Sequence, residues 1–103
     1  MIGDDLLDIG GQVALVTGAG QNAARAIAKE LARHNAGGIA VNDFVAERAE
    51  AVAEEIRAMG VPAVAVPFDV CDLDAVRAAV AKVKAEIGAA TVLVNTAALT
   101  DTH

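Results

Sequence analysis

The sequence predicts an α/β fold, a parallel sheet in strand order 3-2-1-4 with helices on both faces. Three observations carry that expectation. Short apolar runs alternate with Ala-rich, helix-periodic stretches, the pattern of parallel strands joined by covering helices. Hydrophobic residues make up 55% of the 103, yet only Phe44 and Phe68 are aromatic. An aliphatic core of Val, Ile, Leu and Ala suits helices on a parallel sheet better than an antiparallel sandwich. Right-handed crossovers then favour a doubly wound order that reverses beside strands 1 and 4.

The elements follow in order. "QVALVT" (12–17) is an apolar run ending at Gly18, a buried-strand signal. Residues 22–35 are helical, with Ala24, Ile27, Ala28 and Leu31 on one face and Gly37-Gly38 as the stop. "IAVND" (39–43) is the second strand. Residues 46–59 form a second helix, with Ala49, Val52, Ala53 and Ile56 facing the core and Gly60 ending it. Glu47, Glu50, Glu54 and Glu55 read as its solvated face. "PAVAVPF" (62–68) is the third strand, its prolines near the ends where a missing N–H matters least. Asp72 caps a third helix from Leu73 to about Ile87. Its Leu73, Val76, Val80, Val83 and Ile87 step by three and four, and Gly88 ends it. "TVLVN" (91–95) is the fourth strand. The chain reads as a single domain over residues 1–103, or as the N-terminal part of one.

Charge and composition exclude several function classes. The net charge is −6 without any Lys/Arg run, which disfavours nucleic acid as a partner. A single small anion held by backbone N–H groups stays compatible with that charge. Cys71 is the only cysteine, so an intrachain disulfide and a two-thiol metal site are both ruled out. No apolar run approaches the ~20 residues of a membrane span, and "MIGDDLLDIGG" is acidic, unlike a signal peptide. A cytoplasmic location with no membrane partner is expected. His34, near the end of the first helix, and Cys71 read as structural residues.

In a doubly wound sheet a ligand sits outside the carboxyl ends of the strands where the order reverses. Those ends carry "TGAGQNAA" and "NTAALT". Gly18 and Gly20 follow a strand and precede a helix, so backbone N–H groups can approach a phosphate there. The helix dipole adds about half a positive charge at the same point. Asp43 ends strand 2, 19 residues after Ala24, close to the ~20-residue offset of an acidic ribose ligand. Its carboxylate would accept from both ribose hydroxyls of NAD and repel the 2′-phosphate of NADP. Phe44 and Val45 follow with no basic residue, which also favours NAD. The plainer reading, that Asp43 only caps helix 2, stays open.

These residues resemble the short-chain dehydrogenase/reductase family, whose cofactor loop reads TGxxxGxG within a Rossmann-like fold. Here Thr17 and Gly18 match, while Asn22 and Ala24 stand at the second and third glycine positions. Asp43 falls where members preferring NAD carry aspartate, and Asp69-Val70 where a pair contacts adenine. "VNTAA" (94–98) corresponds to the family's NNAG segment, with Asn95 and Ala97 retained, Thr96 for the second Asn and Ala98 for Gly. Asn is among the best helix N-caps and tolerates left-handed backbone, so Asn22 is compatible with the loop. The resemblance implies a cofactor site of Gly18, Gly20, Gln21, Asn22, Ala23, Asp43, Phe44, Asp69, Val70, Asn95, Thr96 and Ala97, with NAD as cofactor.

The family's catalytic Ser and Tyr-x-x-x-Lys have no counterpart, since the sequence contains neither Ser nor Tyr. No catalytic residue is assigned, and the sheet is expected to be incomplete, the front part of a longer polypeptide. The implied activity is NAD(H)-dependent hydride transfer between nicotinamide and a small alcohol or carbonyl substrate, with a homo-oligomer expected. "VND" (41–43) is similar to the hydroxyacyl-CoA dehydrogenase branch, which suggests a 3-hydroxyacyl or 3-oxoacyl thioester. The alternative is a non-catalytic Rossmann-like binding or structural subunit.

Overall fold

A computed structural model describes residues 9–19, 22–69 and 71–95. The order is β1 (Val13–Thr17), α1 (Asn22–Arg33), β2 (Gly38–Val41), α2 (Ala46–Ala58), β3 (Ala63–Ala65), α3 (Leu73–Glu86) and β4 (Ala90–Asn95). The strands form one four-stranded sheet in the order β3-β2-β1-β4, and every pairing is parallel. This is the Rossmann-like arrangement expected from the alternation of runs.

Two cores follow from the period-2 alternation along the strands. Ala14, Val16, Ile39 and Val41 point to the face covered by α1 and α2, against Ala28, Leu31, Val52 and Ile56. Val13, Leu15, Ala40 and Val64 point to the other face, against Ala79 and Val83 of α3. Alanine supplies much of the packing: Ala14, Ala19, Ala28, Ala40, Ala49 and Ala53 are all fully buried. Such small side chains let the helices lie close on the sheet.

The element ends differ from expectation in informative ways. α1 stops at Arg33, before the Gly37-Gly38 pair. Asn35, at φ 69, supplies the left-handed residue that ends it. Gly37 has a different duty: a β-carbon there would overlap the Gly11 carbonyl, and the Gly37 N–H donates to the Gln12 carbonyl at 2.9 Å. β2 ends at Val41 rather than 43, because Asn42 and Asp43 turn inward and are buried. β3 covers only 63–65 of the expected 62–68. α3 begins as expected, with Asp72 Oδ1 accepting from the Ala75 N–H at 3.1 Å.

Two expected core faces are only partly covered among the described residues. On α1, Ala32 is buried and Ile27 is 37% exposed. On α3, Val83 is buried while Leu73 and Val80 are 61% and 43% exposed. β4 alternates half-buried and exposed positions. It lies at the sheet edge, and its Leu93, on the α3 face, is open to solvent. No helix among the described residues is long and apolar enough to cross a membrane.

Candidate functional site

The carboxyl ends of β1 and β4 meet in register, with Thr17 opposite Asn95. The Thr17 hydroxyl is buried and donates to Asn95 Oδ1 at 2.9 Å. It joins the two segments that flank the crevice. The same bond helps to orient the Asn95 amide at the strand end.

The loop after β1 opens with Gly18 at φ 68, and α1 begins at Asn22, with φ 41. Both values lie in the left-handed region. At the second family glycine position the backbone therefore adopts the conformation that glycine supplies, and asparagine is one of the few other residues that sustain it. Ala23 follows, exposed, in the first turn of α1. Gly20, Gln21, Val70, Thr96 and Ala97, and Ala98 with them, lie outside the described residues.

Asp43 is 2% exposed, and its Oδ1 accepts from the Val45 N–H at 2.9 Å. Burying a carboxylate requires such partners, and the adjacent α2 N-terminus adds a favourable dipole. Asp43 is not the cap of α2: the N-cap is Val45, without a side-chain cap bond, and Asp43 closes a turn just ahead of it. An ionised carboxylate has about four acceptor positions, so the Val45 bond leaves its ribose duty chemically possible. Phe44 is 78% exposed beside it, an apolar ring held out into solvent at the end of β2. Across β3, Asp69 Oδ1 accepts from the Cys71 N–H at 2.8 Å, closing a turn that leads into α3.

Asn42 is the residue that sequence reasoning missed. It is 2% exposed. Its Nδ2 donates to the Val66 and Phe68 carbonyls, each at 3.1 Å. Its Oδ1 receives a long 3.4 Å contact from the Gly18 N–H, and its backbone carbonyl accepts from the Ala19 N–H at 2.7 Å. The signal in the sequence was a single amide closing the apolar run "IAV". Asn42 thus takes the Val66 and Phe68 carbonyls just past the end of β3.

On the α3 face, a groove of about 340 Å³ runs beside β1 and β4, lined mainly by Leu15, Phe68, Val76, Val80 and Leu93, with Thr17 and Asn95 also on it. Titratable groups with displaced pKa values lie elsewhere. The Arg25 guanidinium on α1 bonds Glu55 on α2 through both carboxylate oxygens. It holds the Glu55 carboxyl below its ordinary value. Arg57 is raised by its bond to Glu50 first, with Glu54 adding to it. The Arg25–Glu55 pair ties α1 to α2, and the Arg57 pairs lie within α2, both away from the crevice. Among the described residues no group of three His, Cys, Asp or Glu side chains could hold a metal ion.

Comparison with known proteins agrees with this geometry. A family model described as short chain dehydrogenase matches residues 12–103. The chain is 37% identical over 100 residues to the 5-keto-D-gluconate 5-reductase of Escherichia coli K12, covering 97% of this chain and 39% of that protein. It is 44% identical over 88 residues to a 3-oxoacyl-(acyl-carrier-protein) reductase of Staphylococcus aureus Mu50, covering 84% and 35%. Among solved structures, a gluconate 5-dehydrogenase of Burkholderia cenocepacia J2315, in complex with NADP and tartrate, superposes with a TM-score of 0.74 at 34% identity, covering 88% and 35%. The chain therefore spans 35–39% of the length of these relatives.

Proposed function

This chain belongs to the short-chain dehydrogenase family, and from that membership we propose that it forms the dinucleotide-binding part of an NAD(H)-dependent oxidoreductase. The single observation that supports the reading best is the Thr17–Asn95 bond, at 2.9 Å, across the point where the strand order reverses. It brings the Gly18 loop and the end of β4 to one crevice, with Asp43 one strand away.

Each residue has a task in this reading. The Gly18–Asn22 loop and the α1 N-terminus receive the pyrophosphate. Asp43 accepts from the adenosine ribose, Phe44 and the Asp69-Val70 pair flank the adenine, and Asn95, Thr96 and Ala97 border the nicotinamide side. The donor and acceptor set fits such a group: left-handed backbone beneath an anion, a carboxylate near a diol and an apolar ring near a base. When bound, the cofactor would supply or accept hydride. The chain's own residues would hold and orient it, while the acid/base hydroxyl would come from outside these 103 residues, which include no Ser or Tyr. The substrate of the whole protein is then a small alcohol or carbonyl compound. A 3-oxoacyl thioester or a keto-sugar acid fits the relatives equally.

Calorimetric titration with NAD and NADP tests the reading. NAD should bind at least about tenfold more tightly, because the 2′-phosphate would be brought against a buried carboxylate. Asp43→Ala should narrow that gap. Tighter NADP binding by the parent protein would overturn the NAD assignment, and failure to bind either would overturn the dinucleotide reading.

A further inference from the structure

We infer that Asn42 is a positioning residue that fixes the distance between the loop after β1 and the segment after β3, and thereby sets the grip on the adenosine half of the dinucleotide. Its ligand rests on the function proposed above. The coupling itself rests on the geometry around Asn42 alone.

β1 and β3 are not neighbours, since β2 lies between them. No ladder bond can therefore hold the loop after β1 to the segment after β3. Asn42, at the end of β2, spans both. Its amide donates to Val66 and Phe68 on one side. On the other side its Oδ1 faces the Gly18 N–H and its backbone carbonyl holds Ala19. The Val66 N–H returns to the Val41 carbonyl at 2.9 Å, so the third strand's exit is fixed from both of its polar groups. The side chain is buried, which limits competition from water for these bonds. A neutral amide supplies two donors and an acceptor in one plane, and an ionised carboxylate of the same shape supplies acceptors only. Gly18 opens the proposed phosphate loop, and Phe68 immediately precedes Asp69 on the adenine side.

That difference yields a selective test. Asn42→Asp keeps an acceptor for Gly18 and removes both donors to the β3 exit. Asn42→Ala removes the side-chain bonds on both sides and keeps the backbone carbonyl that holds Ala19. Amide hydrogen exchange is measured on the ligand-free protein and both variants, with titrations of 5′-AMP and nicotinamide mononucleotide. In Asn42→Asp, exchange at Val66, Phe68 and Asp69 should rise about tenfold while Ala14–Val16 keep their protection. AMP affinity should fall about tenfold, and nicotinamide mononucleotide affinity should stay within about twofold. In Asn42→Ala the faster exchange should extend to Gly18, while Ala19, held by the backbone carbonyl, keeps its protection. Uniformly faster exchange, or an equal loss for both nucleotides, would mark Asn42 as a general stability residue and overturn the inference. So would unchanged exchange at Val66, Phe68 and Asp69. If the parent protein bound neither nucleotide, the dinucleotide reading would fall, and the exchange pattern would still decide the coupling.

Discussion

Asn22 offers a direct measure of how strictly the loop demands left-handed backbone. Its φ is 41, and its side chain is exposed, so substitution there removes little packing. A left-handed conformation costs an ordinary L-residue about 1–2 kcal/mol, and asparagine lowers that by bonding locally through its short side chain. Asn22→Ala keeps the β-carbon and loses the offset, so it should destabilise by about 1 kcal/mol. Asn22→Gly relieves the β-carbon strain but adds unfolded-state freedom of about 0.5–1 kcal/mol. The two effects nearly cancel, and the variant should lie within about 0.5 kcal/mol of the parent. Asn22→Val adds a β-branch in a region that disfavours it and should cost about 2 kcal/mol. Urea unfolding of the four proteins at one pH gives the order Asn and Gly, then Ala, then Val. For a domain of this size, the Ala variant should melt about 4–8 °C lower. An Ala variant as stable as the parent, or a Gly variant less stable than Ala, would refute the claim that this position requires left-handed backbone.

Two further outcomes follow from contacts away from the crevice. Gly37→Ala sets a β-carbon against the Gly11 backbone carbonyl, which has no side-chain freedom to yield. Chemical denaturation should show a loss of about 1–3 kcal/mol, and an unchanged midpoint would mean the 10–11 turn gives way freely. Glu55 is held below its ordinary pKa, first by its hydrogen bond from Arg25. Its contribution is therefore full above the ordinary carboxylate range and is lost as pH falls through the lowered value. The pair is solvent-screened, so the effect is small. Glu55→Gln should flatten the acid limb of a melting-temperature profile, and a parallel, merely shifted profile would contradict the assignment.

Much of this molecule was legible because its signals were local and repeated. Ala49, Val52, Ala53 and Ile56 were placed by spacing alone and are all buried. Asp72 was read as a cap and is one. What escaped were features set by tertiary geometry. The stop of α1 fell to Asn35 because the downstream glycines were committed elsewhere, Gly37 to close contact with Gly11 and Gly38 to β2. The stripe of α3 was periodic throughout, yet periodicity does not say how much sheet lies opposite, and Leu73 stays exposed. At the site, Thr17 and Asn95 were each recognised by motif, but their bond spans 78 residues of chain. Asn42 was noticed only within "VND", as a likeness, and its bonds to the Val66 and Phe68 carbonyls and the Gly18 N–H are set by tertiary geometry.

The alanines of the two cores give this protein an unusual direction of fragility. An alanine has no side-chain rotamers to freeze on folding, so each ordered one adds little to the entropy opposing the native state. It also has almost nothing to lose by truncation. Ala14, Ala28, Ala40 and Ala53 are fully buried with helix or sheet close around them, so the damaging change at these positions is the gain of a methyl group or two. Where most interiors are injured by hollowing out, much of this one is injured by crowding. Random mutagenesis should therefore find its intolerant sites among its smallest residues.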